Sequence, residues 1–299
     1  MHRPKLHGAG GMHERVSAAY LCLVSENNLP PTEQRGVHRH LESMSIEEHL
    51  AAMHEQTQSA FDAVNSCLPA VQKFVEALIP RMQEGGRLFY IGAGTSGRLG
   101  VLDASECPPT FGVEPDVIQG WIAGGDGALR VAVEGAEDNI EGAWSDLKGV
   151  KPTSMDTLIG IAASGRTPYV LGGIREANQA GLMTACITCN PSTALEALSA
   201  HAMVAVTGPE FVTGSTRLNA GTATKLVLNL ISTTAMVQLG HVKGSSMIDM
   251  KLSNAKLIER GIRMIQKATG VDENRAEKLL KIHGSVRKSI DQIQGDAHA

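Results

Sequence analysis

Apolar residues in the first third of the chain recur every three or four positions, which is the spacing of one helix face. The series comprises Ile46, Leu50, Met53, Phe61, Val64, Leu68, Val71, Val75 and Leu78. It predicts two amphipathic helices, the first capped by Ser45, with Glu48 three residues later completing a capping box. Such a stripe more often packs into a core or a dimer interface than around a ligand.

After Gly85 and Gly86 the pattern changes to short apolar runs that end in turns. Five of these runs are typical of buried strands, at residues 87–91, 117–122, 157–162, 183–188 and 201–206. Segments with helical spacing separate them, as in βαβ units, whose crossovers are right-handed and whose strands are parallel. The chain is therefore predicted to have an α/β fold, with a mostly parallel sheet flanked by helices on both faces.

The same patterns divide the chain into four segments. These are an extension without sustained periodicity, the N-terminal helices, the sheet domain and a short C-terminal helical appendage, at residues 1–30, 31–84, 85–253 and 254–299. Within the sheet domain, a long helix is expected from Thr222 to about Leu239. The appendage should begin with a helix near Asn254 and continue with two short helices between Val271 and Ile293.

Composition supports one main domain and excludes several kinds of partner. With 299 residues, 42% of them hydrophobic, the chain can bury a continuous core. The net charge of -4, from 27 basic and 31 acidic residues, leaves no basic patch for nucleic acid or for an anionic membrane. No apolar run approaches the ~18 residues of a transmembrane helix, and we identify no secretion signal, so we expect a cytoplasmic protein.

The cysteines and histidines argue against disulfide and metal chemistry. Cys22, Cys67, Cys107, Cys186 and Cys189 are an odd number and too sparse for a disulfide framework, which favours a reducing compartment. The last two form a CxxC spacing, but no second pair completes a zinc site, so we interpret them as structural thiols. Most of the 11 histidines lie in the first 60 residues or near the tail, which gives little support to a His-centred triad or a metal site.

Three turns rich in hydroxyl and glycine residues are candidate anion-binding sites. They lie at residues 94–98, 163–168 and 213–217, and the first two follow predicted strands, whose carboxyl ends meet at one edge of a parallel sheet. Hydroxyls and main-chain amides on such turns can hold a phosphate monoester. We assign phosphate binding to Thr95, Ser96, Gly97, Ser164, Gly165, Thr167, Ser215 and Thr216. Any one of these turns is more often an ordinary cap, whereas three alike favour a binding site.

The first turn also fits the GxGxxG pattern of nucleotide-binding proteins, at residues 92–97. A dinucleotide site further requires an acidic residue near the end of the next strand, to hold the ribose hydroxyls. The predicted strand 117–122 contains none, and Asp126 lies just beyond it. A nucleotide is therefore a weaker candidate than a smaller phosphorylated ligand.

Four carboxylates near the turns are candidates for acid–base chemistry. Glu106 precedes a Pro-Pro pair that we expect to end its helix, and the negative end of a helix dipole favours the protonated carboxyl of a general acid. Glu134, Glu137 and Asp138 follow a glycine-rich turn, and Glu137 could serve as a base toward a carbon acid. The sequence chemistry leaves these three nearly equivalent, because acidic clusters are usually solvated surface.

Four stretches of the chain resemble the signature of the N-acetylmuramic acid 6-phosphate etherases. They are residues 91–112, 132–138, 161–170 and 212–217, and the resemblance covers roughly residues 32–270. It implies a flavodoxin-like sugar isomerase (SIS) fold, a homodimer and no metal or redox cofactor. The implied substrate is a sugar phosphate, whose D-lactyl ether is cleaved during cell wall recycling to give N-acetylglucosamine 6-phosphate and D-lactate.

The resemblance also assigns roles to two of the carboxylates. The glutamate matching Glu106 is expected to protonate the departing lactate, and the one matching Glu137 to remove the C2 proton of the open-chain sugar, after which water adds to the unsaturated intermediate. Leu218 and Asn219 stand where relatives usually carry Met-Lys, which affects one contact near the sugar. The C-terminal appendage is also shorter than in many members.

Two other functions are compatible with this fold. A non-catalytic sugar-phosphate-binding regulator would use similar loops, as in the regulatory proteins of glucokinase, but the presence of both Glu106 and Glu137 argues against it. An aldose–ketose isomerase would also place a carboxylate base at C2. The segment from Glu106 to Pro109 is typical of etherases and separates these two enzyme classes.

Overall fold

Five short strands form one parallel sheet in the computed structural model, which describes residues 29–296. They are β1 (Leu88–Gly92), β2 (Ile118–Ile122), β3 (Thr157–Ile161), β4 (Met183–Thr188) and β5 (His201–Val204). Their order is β2-β1-β3-β4-β5, and every neighbouring pair is parallel, which confirms the predicted sheet. The order reverses between β1 and β3, so the turns after these two strands lie side by side. Most of the predicted extension at residues 1–30 lies outside the described residues.

Helices cover both faces of the sheet. The α-helices within residues 29–296 are α1 (Ile46–Gln56), α2 (Gln58–Gln83), α3 (Gly94–Phe111), α4 (Gly142–Lys148), α5 (Pro168–Gln179), α6 (Ala194–Leu198), α7 (Asn219–Gln238), α8 (Ala255–Thr269), α9 (Glu273–His283) and α10 (Val286–Asp296). On one face α2, α3 and α7 pack over Leu88 and Tyr90, and on the other α4, α5 and α6 pack with Phe89 and Ile91. Successive residues of β1 thus enter opposite layers, as the two-residue period of a strand requires. None of the helices within residues 29–296 is long and apolar enough to cross a membrane.

The two predicted N-terminal helices are present, together with the predicted capping box. The Ser45 hydroxyl accepts a hydrogen bond from the Glu48 amide at 3.3 Å, and the Ser45 amide donates to the Glu48 carboxylate at 2.7 Å. On α2, Phe74 and Leu78 are fully buried, and each contributes about 1.5–3 kcal/mol of hydrophobic stabilisation. On α1, by contrast, Ile46 is 81% exposed. Apart from the exposed Phe61 and Leu68, the apolar stripe is therefore part of the core along α2, whereas it faces outward along α1.

Helix α3 does not end at the Pro-Pro pair, so that prediction was wrong. The helix continues through Pro108 and Pro109 to Phe111, and Gly112 caps it with a φ of 72°. The prolines remove their own amide donors and crowd the carbonyls one turn earlier, but Phe111 is buried and the Gly112 amide donates to the Pro108 carbonyl at 3.0 Å. A Cβ at Gly112 would collide with the Asp249 carbonyl oxygen, so this close approach also requires glycine. Packing of the last turn overrides the local effect of the prolines.

The helices α8, α9 and α10 form a C-terminal unit with a core of its own. The Asn254 side chain caps α8 by accepting a hydrogen bond from the Leu257 amide at 3.0 Å, and α9 and α10 are the two short helices predicted for the tail. A small antiparallel hairpin precedes the unit, formed by β6 (Val242–Lys243) and β7 (Ser246–Met247). The Lys251 amide donates to the Pro109 carbonyl at 3.2 Å, so the unit is attached at the end of α3.

One carboxylate ties the hairpin region to α10. Asp249 accepts hydrogen bonds from Arg287 Nε at 2.7 Å and from Arg287 Nη2 at 2.6 Å, and it is hydrogen-bonded to His241 Nδ1 at 3.0 Å. Burial alone would raise the pKa of Asp249, but the bonds from Arg287 and His241 lower it below its usual value. Asp249 is therefore ionised over the physiological pH range and stabilises the joint.

Candidate active site

The turn between β1 and α3 presents the start of a helix at the carboxyl edge of the sheet. Gly94 opens α3 with a φ of 52°, a left-handed conformation that glycine adopts without strain. Gly97 packs so closely on β1 that a Cβ there would lie 2.6 Å from the Gly92 carbonyl oxygen. The first amides of a helix have no intrahelical acceptor, so those of Thr95 and Ser96 are suited to bind an anion.

The turn after β3 lies beside this first turn. Gly165 has a φ of 64° and packs so tightly on the Thr193 side chain that a Cβ would collide with it. The half-buried Ser164 accepts a hydrogen bond from the Arg166 amide at 3.3 Å, which leaves its hydroxyl proton for another acceptor. Thr167 precedes α5, and its side chain makes no capping bond. The hydroxyls of Ser164 and Thr167 can therefore donate to a ligand.

The third turn meets the first at the start of α7. The Thr216 carbonyl accepts a hydrogen bond from the Gly221 amide at 2.9 Å. A Cβ on Gly221 would lie 3.4 Å from this carbonyl oxygen and also 3.4 Å from Thr95 Cγ2. Gly221 thus lies between the first and the third turn. Ser215 and Thr216 of the third turn are half-buried. The structure brings all three predicted turns to the same edge of the sheet.

A cavity of about 160 Å³ next to Gly94 contains two of the three candidate bases. Glu134 and Glu137 both line it, and Asp138 does not. Both glutamates are exposed, and Glu137 lies in the short 3-10 turn Ala136–Asp138. The geometry sets Asp138 apart and leaves the choice between Glu134 and Glu137 open.

Arg98 supports this cavity by fixing the chain that leads to it. Its guanidinium group donates hydrogen bonds to the Ala128 carbonyl at 2.7 Å and to the Leu129 carbonyl at 2.9 Å. These carbonyls belong to the short 3-10 turn Asp126–Leu129, which follows β2 and precedes the two glutamates. Although Arg98 belongs to the first hydroxyl-rich turn in the sequence, these bonds give it a structural role.

Glu106 lies outside the cavity. It follows Gly94 by twelve residues along α3, which corresponds to roughly 18 Å at 1.5 Å per residue. The side chain is exposed, and Leu102, one turn earlier on the same side, is 50% exposed. Because α3 continues to Phe111, Glu106 precedes the last turn and the helix-dipole argument made for it does not apply. Glu137 lines the cavity, whereas Glu106 is not among its lining residues.

The rotation of α3 about its axis is set by a buried carboxyl group. Asp103 accepts hydrogen bonds from Tyr90 Oη at 3.1 Å, Asn229 Nδ2 at 3.0 Å and Ser232 Oγ at 3.1 Å. Burial raises the pKa of Asp103, and these three bonds limit the increase. The network joins α3 to β1 and α7, and it thereby determines the direction in which Glu106 projects.

An asparagine that the sequence did not single out joins the N-terminal segment to the second turn. The Thr32 amide donates to Asn190 Oδ1 at 3.1 Å, and Asn190 Nδ2 donates to Thr32 Oγ1 at 2.8 Å. The same Nδ2 donates to the Ala163 carbonyl at 2.9 Å. In the sequence, Asn190 and the following proline indicated only a turn after β4. Its partner Thr32 is 158 residues away, and no local pattern signals such a contact.

The CxxC cysteines lie in the core. Cys186 and Cys189 are free thiols and are fully buried. Cys67 and Cys107 are also free thiols, and their side chains are almost completely buried. Burial raises the pKa of Cys186 to about 11 and that of Cys189 to about 12. Such thiols stay protonated and unreactive at neutral pH, which confirms their interpretation as structural residues. Cys22 lies outside the described residues.

Comparisons with known proteins find relatives over most of the chain. The model of the glucokinase regulatory protein N-terminal SIS domain matches residues 70–178, and that of the C-terminal lid domain of glucokinase regulatory protein matches residues 244–298. An N-acetylmuramic acid 6-phosphate etherase of Christiangramia forsetii is 55% identical over 262 residues, which is 88% of this chain and 96% of the relative. Another, of Bacteroides fragilis, is 49% identical over 260 residues, which is 87% of this chain and 92% of the relative.

A solved structure supports the fold independently. A phosphoheptose isomerase from Neisseria gonorrhoeae matches with a TM-score of 0.50 at 14% identity, over 64% of this chain and 98% of that one. At such low identity the likeness concerns the architecture alone. Together with the SIS domain match, it confirms the predicted SIS-type parallel sheet flanked by helices.

Proposed function

The chain belongs to the family of N-acetylmuramic acid 6-phosphate etherases, and on this basis we propose that it is a carbon–oxygen lyase that cleaves the D-lactyl ether of N-acetylmuramic acid 6-phosphate. The products are N-acetylglucosamine 6-phosphate and D-lactate, and the reaction serves the recycling of cell wall amino sugars. The observation that carries the proposal is the 55% identity to an etherase across 96% of its length. We further infer a cytoplasmic location, because the four described cysteines are free thiols, as expected in a reducing compartment.

The reaction requires a base and an acid at neighbouring carbons of one sugar. In the open-chain form the C1 aldehyde acidifies the C2 hydrogen, so a carboxylate can remove it as a proton. The electron pair of the C2–H bond forms a C2–C3 double bond while the C3–O bond breaks, and the ether oxygen leaves as the hydroxyl of D-lactate once it has gained a proton. Water then adds its hydroxyl to C3 and a proton to C2, which yields N-acetylglucosamine 6-phosphate.

We assign the phosphate of the sugar to the three hydroxyl-rich turns. A phosphate monoester carries about -1.5 to -2 charges at neutral pH and has three strong acceptor oxygens. Ser96, Ser164, Ser215 and Thr216 offer hydroxyl donors to these oxygens, and the start of α3 adds main-chain amides. From this site the sugar extends toward the cavity beside Gly94.

Replacing Ser96 or Ser164 by alanine should mainly raise KM for the phosphorylated sugar, by roughly tenfold each, because each change removes a hydrogen bond to a charged group. The value of kcat should change little, since the phosphate takes no part in the bond changes. Steady-state kinetics on the two variants measure this, with the exposed Ser145 of α4 replaced by alanine as the control. An unchanged KM in both variants would count against phosphate capture at these turns.

We assign the base to Glu137 and the acid to Glu106. Glu137 lines the cavity beside the phosphate-binding turns, and the family resemblance favours it over Glu134. Glu106 of the same chain does not line this cavity, and it lies eight residues beyond Arg98, the last residue of α3 that does, which corresponds to roughly 12 Å at 1.5 Å per residue. We therefore infer that the acid comes from a second chain.

We infer that the protein is a homodimer in which each site combines residues of two chains. Several large apolar side chains are exposed in the single chain, among them Phe61 and Leu68 on α2 and Leu102 on α3. A two-fold interface that covers Leu102 would also cover Glu106, which lies one turn later on the same side of α3, and we infer that it places this glutamate at the cavity of the neighbouring chain.

The two alternative functions make different demands. A regulator would bind the sugar phosphate without turnover, and an isomerase would form a ketose phosphate without releasing lactate. The domain matches to glucokinase regulatory protein cover residues 70–178 and 244–298, whereas the similarity to the etherases spans 88% of the chain. The solved isomerase structure supports the fold alone.

Measurement of D-lactate tests the proposed function directly. Incubation of the purified protein with N-acetylmuramic acid 6-phosphate should release D-lactate and N-acetylglucosamine 6-phosphate in equal amounts, with the Glu106→Gln variant as the control. No lactate above that control would contradict the etherase assignment. A ketose phosphate without lactate would support the isomerase, and binding without any product would support the regulator.

A further inference from the structure

Glu210 is a buried carboxylate for which the chemistry above has no role. It lies in the segment between β5 and α7, and its side chain is fully buried. Its Oε2 accepts a hydrogen bond from the Asn219 amide at 2.9 Å, and its Oε1 accepts one from the Ala220 amide at 3.0 Å. Burial raises the pKa of Glu210, and these two bonds limit the increase. A carboxylate kept in such a position requires an explanation.

The bonds from Glu210 occupy the start of α7. The first amides of a helix have no acceptor within the helix, and Leu218, which precedes α7, provides no side-chain cap. In α7, the first two amides bond to Glu210, and the third, that of Gly221, bonds to the Thr216 carbonyl. The start of α7 therefore offers none of these three amides to a ligand. A phosphate bound at the third turn must therefore be held by groups of that turn and not by the first amides of α7.

The same bonds close the third turn. Glu210 and Asn219 flank an eight-residue loop, residues 211–218, that carries Ser215 and Thr216. Because the side chain of one flanking residue binds the main chain of the other, the ends of the loop are held together, as in a compact Ω-loop. Inside the loop the Ser215 amide donates to the Val212 carbonyl at 2.9 Å. The distance of the two hydroxyls from the first turn therefore depends on the closure by Glu210.

We propose that Glu210 is a positioning residue of the phosphate site, which holds Ser215 and Thr216 in register with the first turn at Thr95. The inference rests on the proposed function, because it takes the phosphorylated sugar as the ligand. A carboxylate suits this role because both of its partners are N–H donors and it offers two acceptor oxygens. An amide in its place would turn its own NH2 group toward one of these donors and leave that donor without an acceptor.

The Glu210→Gln variant tests the role of this residue. KM for the phosphorylated sugar should rise roughly tenfold, because a buried N–H without an acceptor displaces the loop. The value of kcat should stay within about twofold of the wild-type value, as expected when only binding is affected. The affinity for inorganic phosphate, measured by titration calorimetry without turnover, should fall by the same factor as KM rises. The exposed Glu114, replaced by glutamine, is the matched control and should change neither quantity.

Unchanged KM and phosphate affinity in a folded Glu210→Gln protein would overturn the proposal. A lower kcat at constant KM would overturn it too, since Glu210 would then act in the chemistry. If the glutamine variant does not fold, Glu210→Asp takes its place with the same expected split, because it keeps two acceptor oxygens on a shorter side chain. A wild-type protein that binds phosphate but releases no lactate would refute the proposed function, while the comparison of phosphate affinities would still decide the role of Glu210.

Discussion

Glutamine in place of Glu137 is expected to stop the exchange of the C2 hydrogen of the sugar with solvent deuterium and to lower kcat by about 10²- to 10⁴-fold. The side chain keeps its size but can no longer accept a proton. Glu134→Gln is the matched control, because Glu134 lines the same cavity and is likewise exposed. It should retain both exchange and turnover. Proton NMR of the reaction in deuterium oxide measures the exchange, and lactate release measures kcat.

The pair of variants separates the possible assignments of the base. Loss of exchange in both would mean that the cavity needs its two negative charges and that no single base has been identified. Loss in the Glu134→Gln variant alone would move the base to Glu134. Loss in the Glu137→Gln variant alone is the expected result, and it would supply the choice that the geometry of the cavity leaves open.

Mixing two inactive variants is expected to restore activity. In a mixed dimer of Glu106→Gln and Glu137→Gln chains, one site receives its acid from the second chain and its base from the first, so it is intact. Each purified mixed dimer has one intact site of two, which predicts about half of the wild-type rate per dimer. Differently tagged chains, co-expressed and purified through both tags, provide the mixed dimers, and lactate release provides the readout.

The control for the mixing experiment pairs a Glu137→Gln chain with a chain that carries both substitutions. Neither site of that dimer contains an intact base, so it should stay inactive. If purified mixed dimers of the two single variants are also inactive, then Glu106 and Glu137 do not act across the interface. The assignment of Glu106 as the acid, or the two-chain site itself, would then be wrong.

The sheet could be predicted because each of its strands is a short apolar run between turns. Parallel strands covered on both faces bury nearly every side chain, so they produce continuous runs rather than alternation. The predicted run at residues 87–91 corresponds to β1 at Leu88–Gly92, a shift of one residue. The end of α3 could not be predicted in the same way, because burial of Phe111 and the contact at Gly112 decide it, and both depend on distant parts of the chain.

The site was partly predictable for a related reason. The first two turns follow strands that the topology makes neighbours, so their shared chemistry in the sequence corresponds to a shared location. Asn190 and Glu210 could not be recognised, because an asparagine in a turn and one more acidic residue carry no sign of their buried partners. The separation of Glu106 from Gly94 was contained in the length of α3, because even a helix that ended at the Pro-Pro pair would place Glu106 more than three turns beyond Gly94.

The buried bonds of Asp103 have a consequence for the chemistry of the proposed dimer. The Glu106 side chain projects outward from the helix axis, so a rotation of α3 about this axis would move its carboxyl group sideways in the site of the neighbouring chain. Tyr90, Asn229 and Ser232, which prevent that rotation, lie in the interior of a chain whose own cavity does not use this glutamate. Packing defects in one subunit would thus appear as misaligned proton transfer in the other.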